Sequence, residues 1–236
     1  NPLEGQPLGI SDMGCGDGSF LLHLYNLIKE KTLRGKNLET NPLYLVGADY
    51  NQAALDETIL TFKNLEVQPI TVLSDIANPD NFNENLKNKH NINLSDLLHV
   101  RSFLDHNRTY DLRSDRESYK YNKTSDYSYC WKGEKITGLD AQNDLVFHFK
   151  KWRNHTNKHG LILIELHNIS IDLVKNNLGA IPMISYMATH GFSDQFIIEH
   201  DIYKECIEKA DFKVLKDFQV TYPDDNLKMV SIHMLS

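Results

Sequence analysis

Short apolar runs recur along the chain, each closing on polar residues and each followed by a change of period. Leu8 and Ile10 lead into Asp12, and Leu43 to Ala48 lead into Asp49. Pro69 to Leu73 close on Ser74 and Asp75, Leu97 to Val100 on Arg101 and Ser102, and Gly160 to Leu166 on His167. Runs of this length bounded by polar residues read as buried parallel strands. The segments between them carry helical spacing. Phe20, Leu24, Leu27 and Ile28 share one helical face, Gln52–Phe62 forms a second helix, and Asn78–Asn91 a peripheral one. Asp144–Thr156 sets Leu145, Phe149 and Trp152 on one side, and Ile202–Ala210 reads as the last helix. Phe212–Val220 and Met229–Leu235 alternate across a turn-rich loop at 222–226, which predicts an antiparallel pair. Strands alternating with helices predict one α/β domain over residues 1–236, its mostly parallel sheet covered by helices on both faces.

Two stretches depart from this alternation. Residues 109–140 are polar, with Tyr110, Tyr119, Tyr121, Tyr127, Tyr129 and Trp131 interleaved among charges and no clear period. Long segments without structure of their own are uncommon in compact domains and are usually functional. The aromatics argue against disorder, so the stretch reads as a lid or substrate-facing loop. A helical insertion is expected around 171–195.

The first strand runs into Asp12-Met13-Gly14-Cys15-Gly16-Asp17-Gly18, an acid followed by alternating glycines at the start of a helix. Glycines there permit positive φ and close approach of a ligand. The spacing differs from G-x-G-x-x-G, which sets a helix N-terminus against a pyrophosphate. D-x-G-x-G-x-G resembles motif I of class I S-adenosylmethionine (SAM) methyltransferases, whose ligand carries a sulfonium and an ammonium where a dinucleotide carries phosphates. That resemblance implies a Rossmann-like, seven-stranded sheet with an antiparallel last strand. It also implies a cofactor site of Asp12, Gly14, Cys15, Gly16, Gly18, Asp49, Tyr50, Asp75, Ile76, Arg101 and Ser102. Asp49 would bond the ribose hydroxyls, although it lies 31 residues beyond Gly18, against the usual ~20. The polar stretch Lys29–Asn41 accounts for the excess as an insertion. Asp75 would sit near the adenine amino group, with a turn-capping acid as the alternative.

Charge and cysteine content narrow the partners. A net charge of -7 and a pI near 5.9 argue against a nucleic-acid backbone as main partner. Cys15, Cys130 and Cys206 have no paired spacing, so neither a disulfide framework nor a zinc site is expected, and a reducing, cytoplasmic setting fits. No apolar run approaches the ~20 residues that span a bilayer. The chain opens at Asn1-Pro2 without an initiator Met, which reads as a domain excised from something longer.

Polar residues are packed at the end of the fourth strand: Arg101, Ser102, Asp105, His106, Asn107 and Arg108. Ligands of such sheets bind beyond the carboxyl ends of the strands, and polar groups in a cleft need partners. His106 and His167 at neighbouring strand ends could share base duties or bind a divalent metal. The glycine motif, Arg101-Ser-Phe-Leu-Asp-His-Asn-Arg108, Ile164-Glu-Leu-His167 and His190-Gly-Phe-Ser-Asp-Gln195 together resemble the C-methyltransferase domains of polyketide synthase loading modules linked to GNAT-like domains. The resemblance covers nearly the whole chain. It implies methylation of the α-carbon of a malonyl-type acyl group on an acyl carrier protein, beside other polyketide synthase domains. It also implies a mononuclear metal, iron or manganese, on His106, His167 and Gln195. The base for proton removal stays open among His99, Tyr110 and metal-bound hydroxide. Two other readings stand beside this one: a metal-independent O- or N-methyltransferase with His106 or His167 as base, and a SAM-binding scaffold without activity.

Overall fold

The computed structural model describes residues 3–116, 118–180 and 193–236. Seven strands form one mostly parallel sheet whose last strand is antiparallel to its neighbour; the apolar pattern predicts the parallel runs and the antiparallel pair. The strands are β1 (Gly9–Met13), β2 (Tyr44–Asp49), β3 (Ile70–Leu73), β4 (Leu97–Ser102), β7 (Leu161–Leu166), β8 (Val214–Tyr222) and β9 (Val230–Leu235), in the order β3-β2-β1-β4-β7-β9-β8 across the sheet. Two further strands, β5 (Ser128–Trp131) and β6 (Glu134–Thr137), pair only with each other. The α-helices among the described residues are α1 (Ser19–Lys31), α2 (Gln52–Phe62), α3 (Pro79–His90), α4 (Gly138–Thr156), α5 (Ile171–Asn176) and α6 (His200–Lys209). None of the described helices is long and apolar enough to cross a membrane.

The chain groups into two compact units. The first comprises Asn1–Ser102, Asn154–Ile162 and Ser236, and the second Phe103–Arg153 and Leu163–Leu235. In the first unit the core is built on Ile10, Leu21, Leu43, Leu45, Phe62 and Val100, with Phe20, Leu24 and Ile28 packed against it. Helix α1 is rotated from the predicted face: Leu21 is fully buried while Leu27 stays 42% exposed. Asn51 caps α2 by accepting from the Ala53 N–H, and Asn78 caps α3 ahead of Pro79.

The second unit is centred on the predicted inner face of α4, where Leu145, Phe149 and Trp152 are buried. Phe149 meets Tyr203 and Phe212 edge-on at 5.6 and 6.2 Å. The stretch 109–140 has more structure than its sequence suggests. Strands β5 and β6 form a hairpin around Lys132 and Gly133, both at positive φ as a tight reverse turn requires. Tyr110 and Tyr129 are buried against Phe196, and the hydroxyls of Tyr129 and Tyr127 donate to the carbonyls of Ile197 and Ile169. These aromatics are packing residues. The insertion expected at 171–195 begins with α5; residues 181–192 lie outside the described part.

Candidate active site

The glycine turn leaves β1 with Gly14, Gly16 and Gly18 all in the left-handed region, at φ 77, 54 and 75°. Its amides are engaged within the protein. Gly14 and Cys15 N–H donate to the Ala48 carbonyl, Gly16 N–H to Asp49 Oδ2 at 3.2 Å, and Gly18 N–H to the Cys15 carbonyl. Helix α2 holds the turn from behind: Thr58 Oγ1 donates to the Gly16 carbonyl at 2.9 Å and Thr61 Oγ1 to that of Asp17 at 2.7 Å. A phosphate cradle needs amides that are free to donate, and here those of residues 14, 15, 16 and 18 already have acceptors. A Cβ placed on Gly16 would meet no atom within 4 Å. The turn therefore offers a bare backbone surface with open space above it, suited to a ligand without phosphates.

Two buried acids flank this surface. Asp49 ends β2, and its carboxylate accepts from Gly16 and Asn51 N–H, one bond to each oxygen. A second lone pair on each oxygen remains for a vicinal diol. Asp12 is 2% exposed, and its carboxyl is pushed up to about 7, first by burial and then by the charge of Asp49. A cationic ligand would reverse that penalty. The remaining predicted cofactor residues are placed less uniformly. Asp75 is exposed, and one of its oxygens accepts from the Ala77 N–H, so the turn-capping alternative is realised for that oxygen. Ile76 is buried, Tyr50 is 78% exposed, Arg101 is buried near the end of β4, and Ser102 closes that strand half-buried. Cys15 lies 3.5 Å from Thr58 Oγ1, and burial pushes its thiol up to about 11.

In the second unit a 3₁₀ turn at Asp105–Asn107 presents His106. Nδ1 of His106 donates to Glu165 Oε1 at 2.7 Å, and its backbone N–H donates to Oε2 at 3.3 Å. Leu166 N–H also donates to Oε1, at 2.8 Å. With Nδ1 engaged by a carboxylate, the neutral imidazole carries its lone pair on Nε2. Segment 195–198 joins the three motifs of the unit: Phe196 N–H donates to the His106 carbonyl, and the Ile198 carbonyl accepts from His167 Nδ1 at 3.2 Å. Gln195 is half-buried, and its Oε1 has no hydrogen-bond partner among the described residues.

His167 is placed otherwise than the sequence implies. It is fully buried, its Nδ1 engaged by Ile198 and its Nε2 by the Ser231 hydroxyl at 2.7 Å. Burial, then the neighbouring His200, drives its pKa well below the usual imidazole value. Neither nitrogen is presented to a metal or a substrate. The other candidate bases are also withdrawn. His99 is buried, bonded through Nε2 to the Leu94 carbonyl, and held near 4 by burial; Tyr110 lies in the aromatic cluster.

Residues 1–233 match the family described as the AprA MT2-like domain, a methyltransferase family. The chain belongs to that family. It is a SAM-dependent methyltransferase domain, which accounts for a glycine turn with committed amides beside two buried acids. A search of curated protein sequences finds no match. The fold is similar to that of LepI in complex with SAM, with a TM-score of 0.52 and 10% identity over 99% of this chain and 43% of that one. It is also similar to an O-methyltransferase family protein from Burkholderia thailandensis (TM-score 0.52, 10% identity, 97% of this chain and 50% of that). A third likeness is to the CMeT domain of the citrinin polyketide synthase (TM-score 0.53, 12% identity, 98% and 47%). At such identities the likeness is one of fold, and the methyltransferase domain spans half or less of each of these chains.

Glu165 is a site residue that the sequence pattern does not single out, although His167 of the same Ile-Glu-Leu-His run is. The signal was there: a carboxylate inside an otherwise apolar strand must have a buried partner. The metal implied by the resemblance fits the domain only in part. His106 has the carboxylate-oriented ring typical of ligating histidines, and Gln195 has an unpartnered oxygen, but His167 has no nitrogen to give. Among the described residues no group of three or more His, Cys, Asp or Glu side chains is arranged to hold a metal ion.

Proposed function

We propose that the domain transfers the SAM methyl group to the α-carbon of a malonyl-type acyl thioester on an acyl carrier protein, as part of a polyketide assembly line in the cytoplasm. The family membership and the resemblance of the four motifs support the carbon acceptor, and the three free cysteines are compatible with a reducing compartment. The observation that carries the mechanism is the buried His106–Glu165 pair. A carbon acceptor must lose an α-proton before it can attack, and a general base placed for this contributes roughly 10²–10⁴-fold. Nε2 of His106 takes the proton. Glu165, fixed by two backbone N–H donors, stabilises the imidazolium that forms. The enolate carbon then attacks the sulfonium methyl, the C–S bond breaks, and S-adenosylhomocysteine leaves neutral at sulfur. The proton on His106 returns to solvent. No step is routed through a metal, because the ligand set is incomplete.

The test is methylation of malonyl-loaded carrier protein with SAM, read by intact-protein mass as one-methylene increments. It is run with chelator, with added Fe²⁺ or Mn²⁺, and with His106→Ala. Product in the chelated arm that disappears in His106→Ala supports the base reading. Product only with added metal returns the ligand reading to His106 and Gln195. Methylation of a hydroxyl or amine substrate alone would favour the O- or N-methyltransferase alternative. Absence of product in every arm, with SAM binding intact, leaves the scaffold reading.

A further inference from the structure

We propose that Asp105 is a positioning residue for His106. The inference rests on the reading of His106 as the base.

Asp105 is 1% exposed and opens the 3₁₀ turn whose next residue is His106. Each of its carboxylate oxygens is taken by a different helix. Oδ1 accepts from His148 Nε2 of α4 at 2.9 Å, and Oδ2 from the Tyr203 hydroxyl of α6 at 3.2 Å. Its carbonyl accepts from Arg108 Nη1 at 2.9 Å. Arg108 on the far side of the turn is anchored to α4, through Asp144 Oδ2 at 2.6 Å and the Ala141 carbonyl at 2.9 Å. It also faces the Phe196 ring at 5.3 Å, and Phe196 N–H holds the His106 carbonyl.

The residues flanking His106 are thus tied to the helices, and the ring of His106 is tied to β7 through Glu165. Two independent anchors decide where Nε2 points. A buried carboxylate that takes donors from two helices beside a reactive imidazole is more than a packing feature, because proton transfer depends steeply on distance. A misplacement of about 1 Å costs on the order of a hundredfold in rate. Loosening Asp105 should leave the cofactor turn unaffected, since every residue of the anchor belongs to the second unit.

The experiment compares Asp105→Asn, Tyr203→Phe and His106→Ala in the whole domain. Single-turnover methylation of malonyl-loaded carrier protein, steady-state kcat and KM, SAM dissociation constant and melting temperature are measured for each. Asp105→Asn is expected to bind SAM within about twofold of wild type and to slow methylation by about ten- to a hundredfold, with the loss in kcat and the KM for the loaded carrier protein kept within about twofold. Tyr203→Phe, which removes one bond without a cavity, should slow the reaction less and in the same direction. It decides the matter should Asp105→Asn not fold. Wild-type rates in the folded variants overturn the proposal, as does a loss confined to KM or one that merely follows melting temperature. If His106→Ala methylates normally, the base reading falls and the positioning role falls with it. If His106→Ala is inactive while Asp105→Asn and Tyr203→Phe are not impaired, only the positioning role falls.

Discussion

His106 Nδ1 stands 2.7 Å from Glu165 Oε1, with both side chains at least nine-tenths buried. Charge-assisted bonds of this kind are short and strong, and they fix the tautomer of the ring. Glu165→Gln keeps the size and removes the charge. It should lower the methylation rate by about 10²-fold or more with SAM affinity unchanged. A wild-type rate in stopped-flow or quenched assays of this variant would remove Glu165 from the mechanism.

SAM affinity should depend on pH through Asp12. Its carboxyl sits near 7 in the free protein, while a bound cation favours the ionised form. Affinity is therefore complete above about 7 and weakens as pH falls below it, by at most about tenfold per unit. Calorimetric titrations between pH 5.5 and 8.5 would show this slope, together with proton release near pH 6. Asp12→Asn should bind weakly at every pH, without the slope.

The glycines of the turn should separate strain from ligand contact. Gly16→Ala meets open space, so its stability cost is the left-handed backbone alone, about 1–2 kcal/mol, and its new methyl occupies the ligand's approach. Gly18→Ala adds a 2.8 Å clash with Thr58 Cγ2. The first should lose more SAM affinity and the second more stability. Thr58→Ser, which deletes the clashing methyl and keeps the hydroxyl, should recover part of the Gly18→Ala loss in urea unfolding; strict additivity would refute the contact.

Buried histidines should make the fold acid-labile. His99 and His233 are both held near 4 by burial, below the unfolded value of about 6.5. A depressed imidazole contributes stability above the unfolded value and loses it as pH falls towards the folded one. Melting temperature should therefore drop between about pH 6.5 and 4. His233→Leu should flatten part of that drop, and an unchanged slope would show that His233 binds protons equally in the folded and unfolded chains.

The positions of the sheet strands were legible because parallel strands are buried on both faces and write continuous apolar runs. The glycine turn was legible because positive φ at Gly14, Gly16 and Gly18 excludes most other residues. The hairpin at 128–137 was not, since four-residue strands around Lys-Gly carry neither period nor a familiar turn pair. The rotation of α1 onto Leu21 depends on which turn of the helix meets the sheet, a tertiary choice that spacing does not encode. His167 misled because its position at a strand end is shared by ligands and by fully satisfied core histidines. Glu165 was hidden by its neighbours: one acid in an apolar strand is visible, but its partner lies 59 residues away.

SAM and ATP share an adenosine, and the buried Asp49 beside the turn could accept the ribose of either. What separates them is the absence of free amides at residues 14, 15, 16 and 18, each already bonded to a carbonyl or to Asp49. A triphosphate at the turn would meet the carboxylates of Asp12 and Asp49 beside amides already committed within the protein. The same two acids that suit a cation thus stand against a phosphate, so one pair of side chains serves both to welcome the one ligand and to turn away the other.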